Sequence, residues 1–119
     1  MISVVPALAA PEPLRGQRFI DVMQDNTLSG TTAEGSRFNM YFLPGGEVTY
    51  DEASGPSDHG RWWMDPDGDV CVRWDGYDRE RDHCFAVSVD GDHLLWQGKG
   101  GSGEGVLRGG VGDTFLAPR

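Results

Sequence analysis

From Phe19 to Met23 the apolar residues Phe19, Ile20, Val22 and Met23 recur at helical spacing, which predicts a short amphipathic helix within Gly16–Asn26. Asn26 is a residue type that readily takes the left-handed conformation ending a helix. A segment of this length must pack on something else to persist. Beyond Asn26 the period falls to two. Phe38, Met40 and Phe42 alternate with polar neighbours, then Val48 and Tyr50 do the same. The segments TLSGTT, RFNMYFL, EVTYDEA, GRWWMD, DVCVRWD, HCFAVSV, HLLWQGK and GVLRGG all read as strands. Pro44-Gly45-Gly46, Pro66-Asp67-Gly68 and Asp90-Gly91-Asp92 read as tight turns, and SGPSDHG, GYDRERD and GGSGE as loops. The pattern predicts an all-β fold: a seven- or eight-stranded antiparallel meander or small lipocalin-like barrel with one N-terminal helix. The connections are too short for parallel crossovers, and closure would remove exposed edges. Phe38, Met40, Phe42, Val70, Val72, Phe85, Val87, Leu94 and Trp96 form the expected core. With so many large inward side chains, the interior is expected to be filled.

Composition sharpens this picture. Gly makes up 18 of 119 residues, against an average of roughly 7%, as a meander with many turns requires. Hydrophobic residues make up 38%, below the usual ~45–50%, so the chain suits one domain with a modest core. Pro11–Pro13 reads as a stiff spacer. It separates residues 1–13, a signal-peptide remnant or disordered tail, from a single barrel-like domain over 14–119. Ala7-Leu8-Ala9 has the small-residue form of a signal-peptide cleavage site, although no basic residue precedes it. The net charge of −9 weighs against nucleic acid and anionic lipid as partners. No run approaches the ~20 apolar residues of a membrane span.

Both cysteines lie on adjacent predicted strands. Setting Cys71 opposite Cys84 places Val70 opposite Phe85, Arg73 opposite Asp82 and Trp74 opposite Arg81. Val70, Val72 and Trp74 then share a face with Phe85, Val87 and Val89. This register explains the apolar pattern and brings the sulfurs within bridging reach. A Cys71–Cys84 disulfide is expected, and with it a periplasmic or secreted location.

The same stretch admits other chemistry, which its spacing disfavours. Asp65-Pro66-Asp67-Gly68-Asp69 lacks the Gly and Glu positions of a calcium loop. His83 and Cys84 are neighbours on a strand and point to opposite faces, so neither zinc nor a thiol–imidazole pair is expected. No nucleophile elbow, phosphate loop or dinucleotide fingerprint occurs. Catalytic residues, metal and cofactor are therefore all expected to be none. Of the adjacent Trp62 and Trp63, one should face the core and one the solvent. The outward one, with Tyr77, Arg79 and Arg81 on the following loop, is the candidate binding surface.

The order NTLSGTT, RFNMYFLPGGEV, HGRWWMDPDGDVCVRW, HCFAVSVDGDHLLW resembles a group of small exported bacterial proteins of unknown function. They share a helix, N-T-x-x-G, an aromatic strand with a Gly turn, G-x-W, x-C-x-x-W and C-x-x-V. The resemblance covers Phe19 to about Gly109. It implies a Gram-negative periplasmic setting and brings no catalytic residues. In architecture it is similar to the small barrels that inhibit secreted proteases and lysozymes. The leading expectation is a non-enzymatic binding or inhibitor-like module whose acidic surface meets a cationic protein. The alternative is a lipocalin-like carrier of a small apolar ligand. A third reading is a small hydrolase using carboxylates with His83 or His93 at a barrel mouth.

Overall fold

The computed structural model describes residues 11–110. The expected signal-peptide remnant or disordered tail lies, for residues 1–10, outside the described residues. Nine strands and one helix follow in order: β1 (Glu12–Leu14), α1 (Gln17–Met23), β2 (Asn26–Thr31), β3 (Arg37–Phe42), β4 (Glu47–Glu52), β5 (Ser57–Met64), β6 (Val70–Trp74), β7 (His83–Asp90), β8 (His93–Gly98) and β9 (Gly101–Gly109). Strands β2 to β9 pair antiparallel in sequence order, and β9 returns to pair with β2. The result is a closed eight-stranded up-and-down barrel with one extra strand. Closure leaves none of these eight strands with a free edge along its full length.

The extra strand has a clear physical reason. Strand β6 pairs with only the first part of β7, from His83 to Phe85. Beyond that point β1 takes over the same side of β7, with Leu14 opposite Val87 and Glu12 opposite Val89. The expected Pro11–Pro13 spacer is thus partly a strand. Pro13 fits because only three residues pair here, and a proline nitrogen is tolerated at a short outer strand. Leu14 is 1% exposed and anchors the segment to the core.

Helix α1 is shorter than its pattern suggests, and it buries Phe19 and Met23. The left-handed residue that ends it is Asp25 (φ 67°), not Asn26. Asn26 is held extended because it pairs with both Phe42 and Gly109. Its side chain still caps the helix, with Nδ2 donating to the Val22 carbonyl at 2.7 Å.

Two strands extend into segments expected to be loops. β5 starts at Ser57 and β9 at Gly101. Neither stretch alternates apolar and polar side chains, so the pattern is silent there. Closure supplies what the side chains do not: Ser102 pairs with Gln97, and Gly103 with Trp96.

The expected register at the cysteines is observed, with Val70 opposite Phe85 and Cys71 opposite Cys84. The disulfide is formed. Arg73 Nε donates to Asp82 at 2.7 Å, as that register requires. Trp74 does not reach Arg81. The β6–β7 ladder stops at Val72–His83, and the chain then leaves as the 75–82 loop. The Pro66 turn closes on itself. Asp65 Oδ1 accepts from the backbone N–H of both Asp67 and Asp69, each at 2.9 Å.

Candidate ligand-binding site

Along the barrel wall every second side chain points inward. At one end α1 lies across the opening. Phe19 meets Phe42 and Trp62 edge to face, with ring centroids 5.6 and 5.9 Å apart, and Phe42 meets Trp62 at 5.7 Å. The Trp62 indole N–H donates to the Leu43 carbonyl at 3.1 Å, so its one polar atom is satisfied. Aromatic pairs of this geometry contribute beyond their buried area. This end is closed.

Further along, the inward residues do not fill the axis. The interior holds a cavity of about 640 Å³, which overturns the expectation of a filled barrel. The reason lies in where the large rings rest. A Cβ at Gly103 would meet the Trp96 indole at 2.5 Å, and one at Gly30 would meet the Phe38 ring at 2.9 Å. Both rings therefore rest against glycines of a neighbouring strand, where a side chain would otherwise push them toward the axis. Cross-strand aromatic–glycine packing of this kind pins a ring to the sheet. Phe38 also stacks on Tyr50 (5.5 Å) and meets Trp96 edge to face (6.3 Å), and Tyr50 meets Trp74 (5.8 Å). These four rings make an aromatic belt that lines the cavity without crossing it.

The cavity opens at the end opposite α1, between the 53–56 loop and the 75–82 loop. Glu52, Asp58 and Tyr77 line this rim. Among the described residues, these two carboxylates are the only charged side chains lining the cavity. Tyr50 donates its hydroxyl to Glu52 Oε1. Burial, then that hydrogen bond and the nearby negative charges, push the Tyr50 hydroxyl well above its ordinary pKa. It stays a donor across the neutral range. Asp58 accepts from the backbone N–H groups of Tyr77 (2.8 Å), His59 (2.8 Å) and Gly76 (3.1 Å). Burial pushes its carboxyl up, but these bonds and the His59 charge outweigh that and hold it below the usual range. Asp58 is thus a fixed anion that ties the 75–82 loop to β5.

The residues expected to form a binding surface separate. Trp62 is 6% exposed and belongs to the aromatic plug. It faces inward because its partner Val72 does. Trp63, 37% exposed, is the outward member of the pair. Tyr77, 68% exposed, sits on the rim itself and packs on His83 at 5.6 Å. Arg79 and Arg81 lie exposed on the same loop. Asp65, Cys71 and Cys84 bring donor atoms within 4.8 Å of one another, but both sulfurs are spent in the bridge and offer no thiolate.

The histidines do not share one site. His59 lies on the outer wall between Asp75 (3.1 Å) and Glu47 (3.6 Å). His83 stands at the rim, its Nε2 3.3 Å from Asp78. His93 begins β8 at the α1 end, next to Asp92. Sequence reasoning placed the aromatic strands correctly but favoured a filled interior over the hollow one that the carrier alternative requires, and it did not single out Glu52 and Asp58. Glu52 and Asp58 were legible only as two more acids in an acidic chain. Their inward phase follows from pairing: Glu52 opposes Phe38, and Asp58 opposes Tyr50.

Comparison with protein-family models, with curated proteins and with solved structures finds no match. No described helix is long and apolar enough to cross a membrane. The site must therefore be interpreted from its own geometry.

Proposed function

We propose that this protein is a non-enzymatic, extracytoplasmic carrier of a small apolar ligand. The single observation behind the proposal is the one-ended cavity of about 640 Å³ inside the barrel. Its size falls in the range of small-molecule sites, and its walls are apolar and aromatic with a few polar groups at the mouth, as such sites require. The plugged end and the closed sheet make the cavity preformed, so little ordering cost opposes binding. The Cys71–Cys84 bridge supports a periplasmic or secreted setting, where disulfides persist.

The docking reading, in which an acidic surface meets a cationic protein, finds less support. Trp62 is withdrawn into the core, and Arg79 and Arg81 would put positive charge at such a contact. The resemblance to inhibitor barrels supports it by architecture alone, and architecture does not carry function.

The test uses a neutral apolar probe, 1-decanol, followed by tryptophan emission. Trp74 and Trp96 line the cavity and report its occupation. Saturable binding is expected in the natural protein, and its loss in Val87→Phe, which fills the cavity from a wall position. Binding equal in both proteins would locate the probe elsewhere and remove the carrier reading.

A further inference from the structure

The cavity's charge is one-sided, and this bears on the head group of its ligand. Apolar walls alone would accept a hydrocarbon, an alcohol, a fatty acid or an amine with little discrimination. The rim does discriminate. Both charged side chains on the lining are carboxylates, and no lysine, arginine or histidine lines the cavity among the described residues. Neither acid is placed there loosely. Glu52 faces inward because it opposes Phe38 on the aromatic belt. Its carboxylate is held on one side by the Tyr50 hydroxyl. On the other side it lies against the 53–56 turn, where a Cβ on Gly55 would meet Oε2 at 2.8 Å. Asp58 spends its acceptor capacity on three backbone N–H groups, but its negative charge remains at the opening.

Resting on the carrier reading, we propose that the ligand is a cationic amphiphile: an apolar body within the aromatic belt and a protonated amine at the rim, donating to Glu52. Glu52 is the better partner because Tyr50 occupies only one of its oxygens, Oε1, and leaves further acceptor sites. Asp58 adds attraction without a direct contact. The belt itself favours a cation, because the faces of Trp74, Trp96 and Tyr50 carry negative quadrupole potential. A ligand carboxylate would meet two like charges in a partly desolvated mouth, with no cationic side chain on the cavity lining to pair it, and His83 at the rim faces Asp78. The net charge of −9 acts in the same direction over longer range, raising the local concentration of cations.

The experiment compares decylamine, 1-decanol and decanoate, one chain with three heads, each below its micelle concentration at neutral pH and low salt. Binding is read by tryptophan emission, and the whole series is repeated on Glu52→Gln. Decylamine is expected to bind about tenfold more tightly than decanol, the size of one charge-assisted hydrogen bond. Decanoate should bind more weakly than decanol. In Glu52→Gln, which keeps an acceptor for the Tyr50 hydroxyl, the amine preference should fall toward unity, with only the weaker attraction of Asp58 left, and an unchanged denaturation midpoint shows that the barrel is intact. If decanoate binds as well as decylamine, or if Glu52→Gln keeps the amine preference, the head-group assignment is overturned and the carrier reading stands. If none of the three binds the natural protein, the carrier reading itself falls. If decanol binding is also lost in Glu52→Gln, Glu52→Asp decides. It keeps the charge and should restore the amine preference, and failure to do so overturns the assignment.

Discussion

At the α1 end of the barrel Phe19, Phe42 and Trp62 meet edge to face, and Met23 is 1% exposed. At the opposite end Glu52, Asp58 and Tyr77 surround an opening, and Tyr77 is 68% exposed. The same strands run through both ends with the same inward phase. The difference comes from what the chain places beyond them: a helix with two buried side chains at one end, and polar loops tied down by a carboxylate at the other. On the proposed carrier reading, stability is therefore concentrated at the plug and selectivity at the rim. A substitution at one end should leave the other's property largely intact.

The largest expected effect is Phe19→Ala. It removes two ring contacts and leaves a void between Phe42 and Trp62, for a loss of about 3–5 kcal/mol. Chemical denaturation followed by circular dichroism measures it. A loss below about 1 kcal/mol would mean that α1 is a cover and not a plug. Next comes the staple. Opening Cys71–Cys84, which closes a loop with sequence separation 13, should cost about 3 kcal/mol in the chain-entropy account. The denaturation midpoint of Cys71→Ser/Cys84→Ser should match that of reduced natural protein. An unchanged midpoint would show that barrel closure already holds β6 and β7 together.

The rim should respond differently. Asp58→Ala frees the N–H groups of Gly76 and Tyr77 on an accessible loop and that of His59 on β5, where water can replace the lost acceptor, so global stability should fall by about 1 kcal/mol or less. Hydrogen exchange at Gly76 and Tyr77 should accelerate sharply, while exchange in β3 does not. Equal acceleration in both would deny that the loop is a separate unit. The same group sets an acid limit. Its folded pKa is depressed, so its contribution is fully present above its unfolded value, about 4. That contribution is lost as pH falls through the folded value. Loss of loop protection already between pH 7 and 5 would contradict the assignment.

The smallest effect belongs to His59 on the outer wall. The hydrogen bond to Asp75, ahead of opposing desolvation and aided by Glu47, raises its pKa. The stabilisation is complete below about pH 6.5 and disappears as pH rises through the folded value. Both acids are solvent-exposed, so the contribution should be about 0.5 kcal/mol or less. His59→Gln should abolish this slight pH dependence, and a persisting slope would assign it elsewhere.

How much of this was legible in the sequence differs between the same two regions. Alternation at Phe38–Phe42 and Val70–Trp74 revealed the strands, and pairing the two cysteines gave the β6–β7 register. Alternation is a statement about faces, and it served well wherever side chains are large. It failed at β1 and in the first part of β9, where backbone pairing decides and side chains are few. It also gave no warning of the cavity. Large inward residues suggested a filled barrel because period two says which face a ring takes, not where on that face it rests. Gly30 fell within the expected strand TLSGTT and Gly103 within the expected loop GGSGE, and nothing in either pattern showed that they sit in strands beneath Phe38 and Trp96. Their position in the closed sheet was needed to see that rings lying on glycines leave the axis open. Glu52 and Asp58 were hidden for a related reason, since an inward carboxylate differs from any other acid only in its partners.

The most direct test of a hollow, one-ended barrel is methyl NMR during titration with 1-decanol. Shifts are predicted at Leu28, Met40 and Val87, which line the cavity, with Val106 and Leu95 on the outer face unmoved. Shifts confined to Val106 and Leu95, or no saturable shift at all, would contradict the account.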